Sequence, residues 1–417
     1  MSPNLFWERR ILPNGLTVIR YPRAAANTTQ MSLSVKYGST QEPKEAAGIA
    51  HFLEHMLAGG SQQRIHRSRS IEDWGGVLDF YTDREQVTAS LDVLPQKAAD
   101  AAGVIAELFF GDSFDDKKVD VERKIILNEL AEVADDPAFK IEEMLIENLF
   151  RHHPIRRPIG GYKRTIKKLS LTQLTAEHAH NYVPQNMVLI LSGNISAESQ
   201  KKVLAPFIAT NKTECTPKKP RPAETSKPKT VTVEEKAGIT QSYLSIGAKT
   251  IPATHTDAPA LDLISNLLGG GTSSRLFIEL REKHAVTYDV GTAHCKGSDF
   301  GYFGVSCAVN RGKVEKARAL IQKEITSLGS ELVGEVELEK AKQIMLGGVL
   351  RGMDNPHDSM EIINYMELQF QAASALKNYL DKIRAVTAND IKEAVNRYLN
   401  EDCLCTAILN PIKKNNK

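Results

Sequence analysis

Apolar positions along the first half of the chain follow two different periods. Alternation of apolar and polar residues, or short apolar runs, predicts strands at 15–20, 30–37, 86–93 and 187–193. Apolar residues at three- and four-residue spacing predict helices at 45–58, 96–110, 117–134, 138–150 and 172–182. Neighbouring strands are placed like hairpins and do not alternate strictly with helices. This order favours an α+β fold with helices packed on a mostly antiparallel sheet.

Two segments of the first half return later in the chain at one common distance. Residues 29–35, Thr-Gln-Met-Ser-Leu-Ser-Val, resemble residues 240–246, Thr-Gln-Ser-Tyr-Leu-Ser-Ile, and position 240 lies 211 residues after position 29. Residues 57–65 resemble residues 268–276 at the same offset. In each match a strand leads to an apolar helix that ends at glycines. The common offset predicts two homologous domains.

The segment between the two copies differs from both in composition. Residues 210–229 are rich in Pro and Lys and lack large apolar side chains, which is typical of an extended linker. We therefore predict a first domain at 1–209, a linker at 210–229 and a second domain at 230–417.

The overall composition of the 417 residues excludes several classes of protein. The chain is 41% hydrophobic and 25% charged, which is enough apolar material for large cores. With 53 basic and 51 acidic residues, nothing indicates a nucleic-acid partner. No apolar run approaches the roughly 18 residues of a membrane-spanning helix. The N-terminus lacks the apolar region of a secretory signal and no Cys-x-x-Cys pair occurs, so we expect a cytoplasmic protein without a membrane partner.

The strongest chemical signal is His-Phe-Leu-Glu-His at 51–55, inside a predicted helix. His51 and His55 are one turn apart on one helix face, so both imidazoles can reach one metal ion. Glu54 points to the same side, where a carboxylate can take the proton of a zinc-activated water. This order of residues inverts His-Glu-x-x-His and is called an inverzincin motif. The alternative is a histidine pair that binds no metal.

A catalytic zinc usually requires a third protein ligand. The acid-rich helix predicted at 117–134 offers Glu122, Glu129 and Glu132. Glu122 and Glu129 are seven residues apart, or about two turns, and therefore lie on nearly the same face. Spacing leaves all three open as ligands, although a solvent-exposed position fits Glu132 best.

With these motifs, nearly the whole chain resembles the pitrilysin and mitochondrial processing peptidase family of zinc metallopeptidases. Leu-Pro-Asn-Gly-Leu at 12–16 and Tyr-Gly-Ser-Thr-Gln-Glu-Pro at 37–43 also resemble the family's approach to its site. The resemblance implies that Glu129 is the third zinc ligand. It also implies that Glu122 does not bind the metal itself but orients a ligand or tunes the metal. It also implies a zinc endopeptidase that hydrolyses peptides or unfolded polypeptides, with Glu54 as the general base.

The second half carries a further part of the resemblance. Its glycine-rich segment 269–288 resembles the family segment that carries an Arg/Tyr pair, here Arg281 and Tyr288. The resemblance implies that Tyr288 donates a hydrogen bond to the scissile carbonyl or the developing oxyanion, and that Arg281 holds substrate backbone.

The duplication assigns different chemistry to its two copies. At the offset of 211 residues, the motif at 51–55 falls on residues with different side chains, namely Asp262, Ser265 and Asn266. The second copy therefore cannot bind zinc as the first can. We predict that one domain supplies the metal and the other supplies Arg281 and Tyr288.

Two departures from the family pattern affect substrate binding. Asp79 and Phe80 stand where the family often has Asn-Ala, and an ionised aspartate cannot donate the hydrogen bond of that asparagine. We predict that Asp79 and Phe80 bind substrate with altered preference. His284 and Ala285 replace a common basic-Gly pair, and alanine tolerates positive φ poorly, so we expect a shifted loop before Tyr288.

The resemblance also bears on partners. Four such domains form a clamshell in the family, and this chain has two, which implies a homodimer or a heterodimer with a related subunit. The alternative function is a non-catalytic subunit of a processing-peptidase-like complex, a class that usually lacks His-x-x-Glu-His. A zinc hydrolase acting on a non-peptide substrate is the third reading.

Overall fold

The computed structural model describes residues 5–111, 114–210, 221, 224, 228 and 231–412. The linker predicted at 210–229 lies almost entirely outside these residues. The described residues form eleven strands, which are β1 Glu8–Ile11, β2 Thr17–Pro22, β3 Thr29–Val35, β4 Val77–Thr82, β5 Val87–Val93, β6 Met187–Gly193, β7 Val231–Lys236, β8 Ser242–Lys249, β9 Thr287–Lys296, β10 Gly301–Val309 and β11 Cys405–Pro411.

Fourteen α-helices accompany these strands in the described part of the chain. They are α1 Ile49–Gly59, α2 Gln62–Asp73, α3 Ala98–Phe110, α4 Asp116–Asp135, α5 Pro137–Leu149, α6 Lys163–Ile166, α7 Leu171–Asn181, α8 Ala197–Ile208, α9 Ala258–Gly269, α10 Val314–Ser330, α11 Glu335–Asp354, α12 Pro356–Phe370, α13 Ala375–Ala385 and α14 Ala388–Tyr398. None of the helices within the described ranges has both the length and the apolar character needed to cross a membrane.

The chain divides into two compact units that are not contiguous in sequence. The first unit comprises Met1–Ala131, Arg157–Pro220 and Gly352–Leu376, and the second comprises Glu132–Arg156, Arg221–Arg351 and Lys377–Lys417. Helix α12 therefore belongs to the first unit and helix α5 to the second. The contiguous boundaries drawn from the sequence stay a prediction.

The first unit is built on a six-stranded sheet of order β1-β2-β6-β3-β5-β4. All neighbouring pairs are antiparallel except β2 with β6, which is parallel. Because side chains alternate along a strand, Leu33 and Val35 enter the main hydrophobic core with helices α1 and α3. Ser34 points to the opposite face, where its hydroxyl accepts a hydrogen bond from Thr88.

Helix α12 covers this second, polar face of the first sheet. The Glu367 carboxylate is fully buried and accepts three hydrogen bonds from the Arg9 guanidinium, at 2.9, 3.0 and 3.2 Å. Asn364 donates a hydrogen bond to Gln86 at 2.8 Å. Polar contacts of this kind need a matching partner, so they hold the helix in one register.

The second unit repeats the design with a five-stranded sheet of order β7-β11-β8-β10-β9. The pair β7–β11 is parallel and the other pairs are antiparallel. On one face, helix α5 inserts Leu145 against Gly247 and Gly304, whose missing side chains leave room for it. Both sheets are mixed and mostly antiparallel, which confirms the α+β class predicted from the sequence.

Candidate metal centre

Helix α1 is held in place at its N-terminus by a buried carboxylate. The backbone N–H groups of Gly48 and Ala50 donate to Glu42 at 2.9 and 2.8 Å, which satisfies donors that a helix start leaves unpaired. Gly48 has φ of 95° and packs directly against Gly161, so a side chain at position 48 would be strained. This tight start fixes the direction in which the helix presents His51 and His55.

Three side chains converge beside helix α1. His51, His55 and Glu129 each offer one ligand atom, and these atoms all lie within 4.8 Å of one another. The Nε2 atoms of His51 and His55 are each 3.4 Å from an oxygen of Glu129. Within the described ranges, this is the one group of three His, Cys, Asp or Glu side chains that could hold a metal ion.

Glu122 contacts the opposite side of the His55 ring. Its Oε2 lies 3.1 Å from His55 Nδ1, so Nδ1–H can donate to Glu122 while Nε2 faces Glu129. A carboxylate in this position fixes the tautomer and the orientation of a metal-binding histidine. Of the three glutamates that spacing left open, Glu129 faces both histidines, Glu122 contacts one of them from behind, and Glu132 is exposed to solvent.

The local electrostatics favour positive charge at this place. Burial disfavours a charged imidazolium, but hydrogen bonds to Glu122 and Glu129 outweigh it and raise the pKa of His55 to about 9. Hydrogen bonds from His51 and His55 hold the pKa of Glu129 far below its usual range. The two carboxylates and the two imidazoles therefore suit a bound cation.

Strand β4 brings two more groups to helix α1. Side chains two residues apart share a face of a strand, so Phe80 and Thr82 both point toward the helix. The Thr82 hydroxyl donates to Glu54 Oε2 at 2.7 Å. Phe80 lines a pocket of about 340 Å3 together with Glu54, His55 and Glu122. Sequence motifs assign no role to Thr82. The only sequence signal for it is its position shortly after Asp79 and Phe80.

Asp79 lies on the other face of strand β4. It is exposed and lines a different pocket, of about 220 Å3, with Asp92 and His357. The structure therefore brings Phe80 next to Glu54 and His55, and it places the Asp79 side chain elsewhere in the first unit. The substrate-binding role of either residue stays a prediction.

Arg281 and Tyr288 lie together in the second unit. Arg281 belongs to a π-helical segment, Phe277–Lys283, and its guanidinium stacks 4.4 Å from the ring centre of Tyr288. Tyr288 is 79% exposed. Between them, Ala285 has φ of 45°, a left-handed conformation that costs a non-glycine residue energy. Ala285 thus adopts the positive φ in spite of its side chain, and the shift of the loop before Tyr288 stays a prediction.

The second copy of the motif holds an ion pair among its own side chains. The Asp262 carboxylate is hydrogen-bonded to His294 at 2.7 Å and to Lys296 at 2.6 Å, and it also accepts from the Tyr379 hydroxyl. Burial raises the pKa of Asp262, but the contacts with His294 and Lys296 outweigh it and lower the pKa. Asp262 stands where the first copy has His51, so a salt bridge occupies the second copy's equivalent position.

Two family models match successive parts of the chain. The model of the insulinase family, peptidase family M16, matches residues 18–163. The model of the peptidase M16 inactive domain matches residues 168–345, which is consistent with the substituted motif in the second copy.

Curated relatives extend over nearly the full length. An uncharacterized zinc protease of Mycobacterium leprae is 26% identical over 399 residues, covering 94% of this chain and 89% of that protein. The uncharacterized zinc protease YmxG of Bacillus subtilis is 24% identical over 408 residues, covering 97% and 98%.

Solved structures share the fold. A protease from Helicobacter pylori superposes with a TM-score of 0.88 at 20% identity, covering 97% of this chain and 99% of that chain. A peptidase M16 inactive domain from Pseudomonas fluorescens gives 0.88 at 22% identity, covering 98% of each. The two family models together match most of the chain, and they show that it belongs to the M16 peptidase family.

Proposed function

We propose that this chain is a zinc-dependent endopeptidase that hydrolyses peptides or unfolded polypeptides. The observation that carries the proposal is the convergence of His51, His55 and Glu129 within 4.8 Å, beside a pocket that contains Glu54. Two imidazoles and one carboxylate form the protein ligand set of several catalytic zinc sites. The zinc protease names of the relatives support the same reading.

Two distances between donor atoms match those of a zinc site, and the three donor atoms all lie within 4.8 Å of one another. Ligand atoms at about 2.0–2.1 Å from a tetrahedral ion lie roughly 3.3–3.4 Å from one another. His51 Nε2 is 3.4 Å from Oε1 of Glu129, and His55 Nε2 is 3.4 Å from the other oxygen, Oε2. His51, His55 and Glu129 would therefore hold the ion, with Glu122 orienting His55.

Zinc in such a site acts as a Lewis acid that polarises a peptide carbonyl and makes a water molecule nucleophilic near neutral pH. Glu54 accepts the proton of the attacking water and afterwards donates it to the leaving amine. Thr82 occupies one carboxylate oxygen of Glu54 and limits its rotation. The other oxygen has no hydrogen-bond partner among the described residues and is available for proton transfer.

Arg281 and Tyr288 complete the proposal as substrate-binding groups. The Tyr288 phenol is exposed, and the stacked guanidinium of Arg281 restricts the ring. An O–H donor of this kind can stabilise the negative charge that develops on the scissile carbonyl oxygen.

Two substitutions test the proposal. His51→Ala should lose zinc and peptidase activity together, because it removes one ligand. Glu54→Gln should keep about one zinc per chain and lose turnover, because an amide cannot accept the proton. His180→Ala is the matched control, since His180 is an exposed histidine of helix α7. Full turnover by Glu54→Gln would remove Glu54 as the base, and a wild-type chain that binds no zinc would refute the metal assignment.

A further inference from the structure

The pocket beside Glu54 has a wall that the proposed chemistry does not use. Helix α2 presents Ile65, Ser68 and Arg69 to it, and residues at this three- and four-residue spacing share one helix face. Phe80 of strand β4 forms an apolar wall of the same pocket. The volume of this pocket, about 340 Å3, lies within the roughly 300–1,000 Å3 typical of ligand pockets.

The two carboxylates of this pocket each have one polar partner within the described residues. Glu54 accepts from Thr82 at 2.7 Å, and Glu122 lies 3.1 Å from His55 Nδ1. Arg69 is the one Lys or Arg side chain among the described residues that line this pocket. It is exposed and has no ion pair or hydrogen bond to any residue in the described ranges, so its guanidinium is free to pair with a carboxylate of a ligand.

The hydroxyl of Ser68 adds a second unmatched polar group. Its oxygen is buried and has no hydrogen-bond partner among the described residues. A buried hydroxyl without a partner costs free energy, which a ligand able to accept or donate a hydrogen bond would recover. Ser68 and Arg69 both line this pocket, so a ligand held in it lies near both side chains.

We infer that this pocket binds an acidic side chain, and that Arg69 determines the preference. The inference rests on the proposed peptidase function. An aspartate or glutamate next to the scissile bond would place its aliphatic part between Ile65 and Phe80. Its carboxylate would then receive hydrogen bonds from the Arg69 guanidinium, whose fork matches a carboxylate in geometry, and from Ser68.

Peptide sets that differ at one position test the inference. Peptides with Glu, Gln or Lys at a single variable site are incubated with the zinc-loaded protein, and cleavage sites are mapped by mass spectrometry. We expect kcat/KM to be about tenfold higher for Glu than for Gln at one residue flanking the scissile bond, because one hydrogen-bonded charge pair is gained. Arg69→Ala should bring this ratio close to one, and Arg69→Glu should favour Lys.

Arg67→Ala is the matched control. Arg67 lies on the same helix, two residues earlier, and pairs with Glu107 at 2.5 Å. The Glu-to-Gln ratio should be unchanged in this variant. A wild-type protein that cleaves all three peptides alike, or a preference that survives Arg69→Ala, would overturn the inference while leaving the peptidase proposal intact.

A binding measurement separates the two proposals further. Fluorescence anisotropy of the same peptides on the Glu54→Gln chain reports the pocket without turnover. If no peptide is cleaved by the wild type, the peptidase proposal fails, and the binding data still decide the pocket's preference. Equal affinity for the Glu and Gln peptides would then overturn the acidic preference as well.

Discussion

Gly59 ends helix α1 directly beside the carboxyl group of Glu122. A Cβ at position 59 would lie 2.2 Å from Glu122 Oε1 and 2.8 Å from Cδ. The carboxyl group would have to retreat by about 1.2 Å to restore an ordinary contact of 3.4 Å. Its contact with His55 Nδ1 is now 3.1 Å, so this displacement would break or badly weaken it.

We therefore predict that Gly59→Ala weakens zinc binding about 10–100-fold, which is the usual cost of losing a carboxylate that orients a histidine ligand. The fold should survive, because the displaced atoms are the end of a flexible side chain. Zinc affinity is measured by competition with a chromogenic chelator, and stability by thermal unfolding of the metal-free protein.

Two comparison variants make this prediction specific. Glu122→Ala should lose affinity by a similar factor, since it removes the same contact. Gly103→Ala is the matched control, because a Cβ on this glycine of helix α3 meets nothing within 4 Å. It should raise stability by roughly 0.5–1 kcal/mol through helix propensity and leave zinc affinity unchanged. Wild-type affinity in Gly59→Ala would refute the assigned role of Glu122.

Three further predictions follow from single contacts. Thr82→Val should lower kcat about tenfold or more with little change in KM, because a hydrogen bond to the Glu54 carboxylate is lost. Thr82→Ser keeps the hydroxyl and should recover activity. Equal rates for the wild type and both variants would contradict this role of Thr82. Ala285→Gly should raise the free energy of unfolding by roughly 0.5–1 kcal/mol in chemical denaturation, since glycine adopts a φ of 45° without the strain of alanine. An unchanged denaturation midpoint would count against this strain. Arg9→Ala should lower the free energy of unfolding by about 3–5 kcal/mol in the same assay, because it leaves buried Glu367 unpaired. Replacing Glu367 with Leu in that variant should recover part of this loss. If the effects of the two substitutions simply add, the result argues against the pairing.

The part of the site that local geometry determines was predictable from the sequence. The shared face of His51, Glu54 and His55 follows from the spacing of one helix. Spacing could not choose among Glu122, Glu129 and Glu132, because the choice depends on how helix α4 packs against helix α1. Only the packed structure shows Glu129 facing both histidines.

Other features depend on contacts between distant segments. Arg9 and Glu367 are 358 residues apart, so no local pattern indicates that helix α12 joins the first unit. Helix α2 was not predicted because its surface is almost entirely polar, with only Arg64 and Ile71 buried. Since apolar periodicity is the main signal for an amphipathic helix, a polar helix that lines a pocket escapes it.

Zinc titration into the metal-stripped protein, followed by cleavage of a peptide library, decides whether this chain is a zinc-dependent endopeptidase. We expect no cleavage without metal, a rise with added zinc, and a plateau at one equivalent per chain, because His51, His55 and Glu129 form one site. Absence of cleavage at every zinc loading, or full cleavage by the metal-free protein, would contradict it.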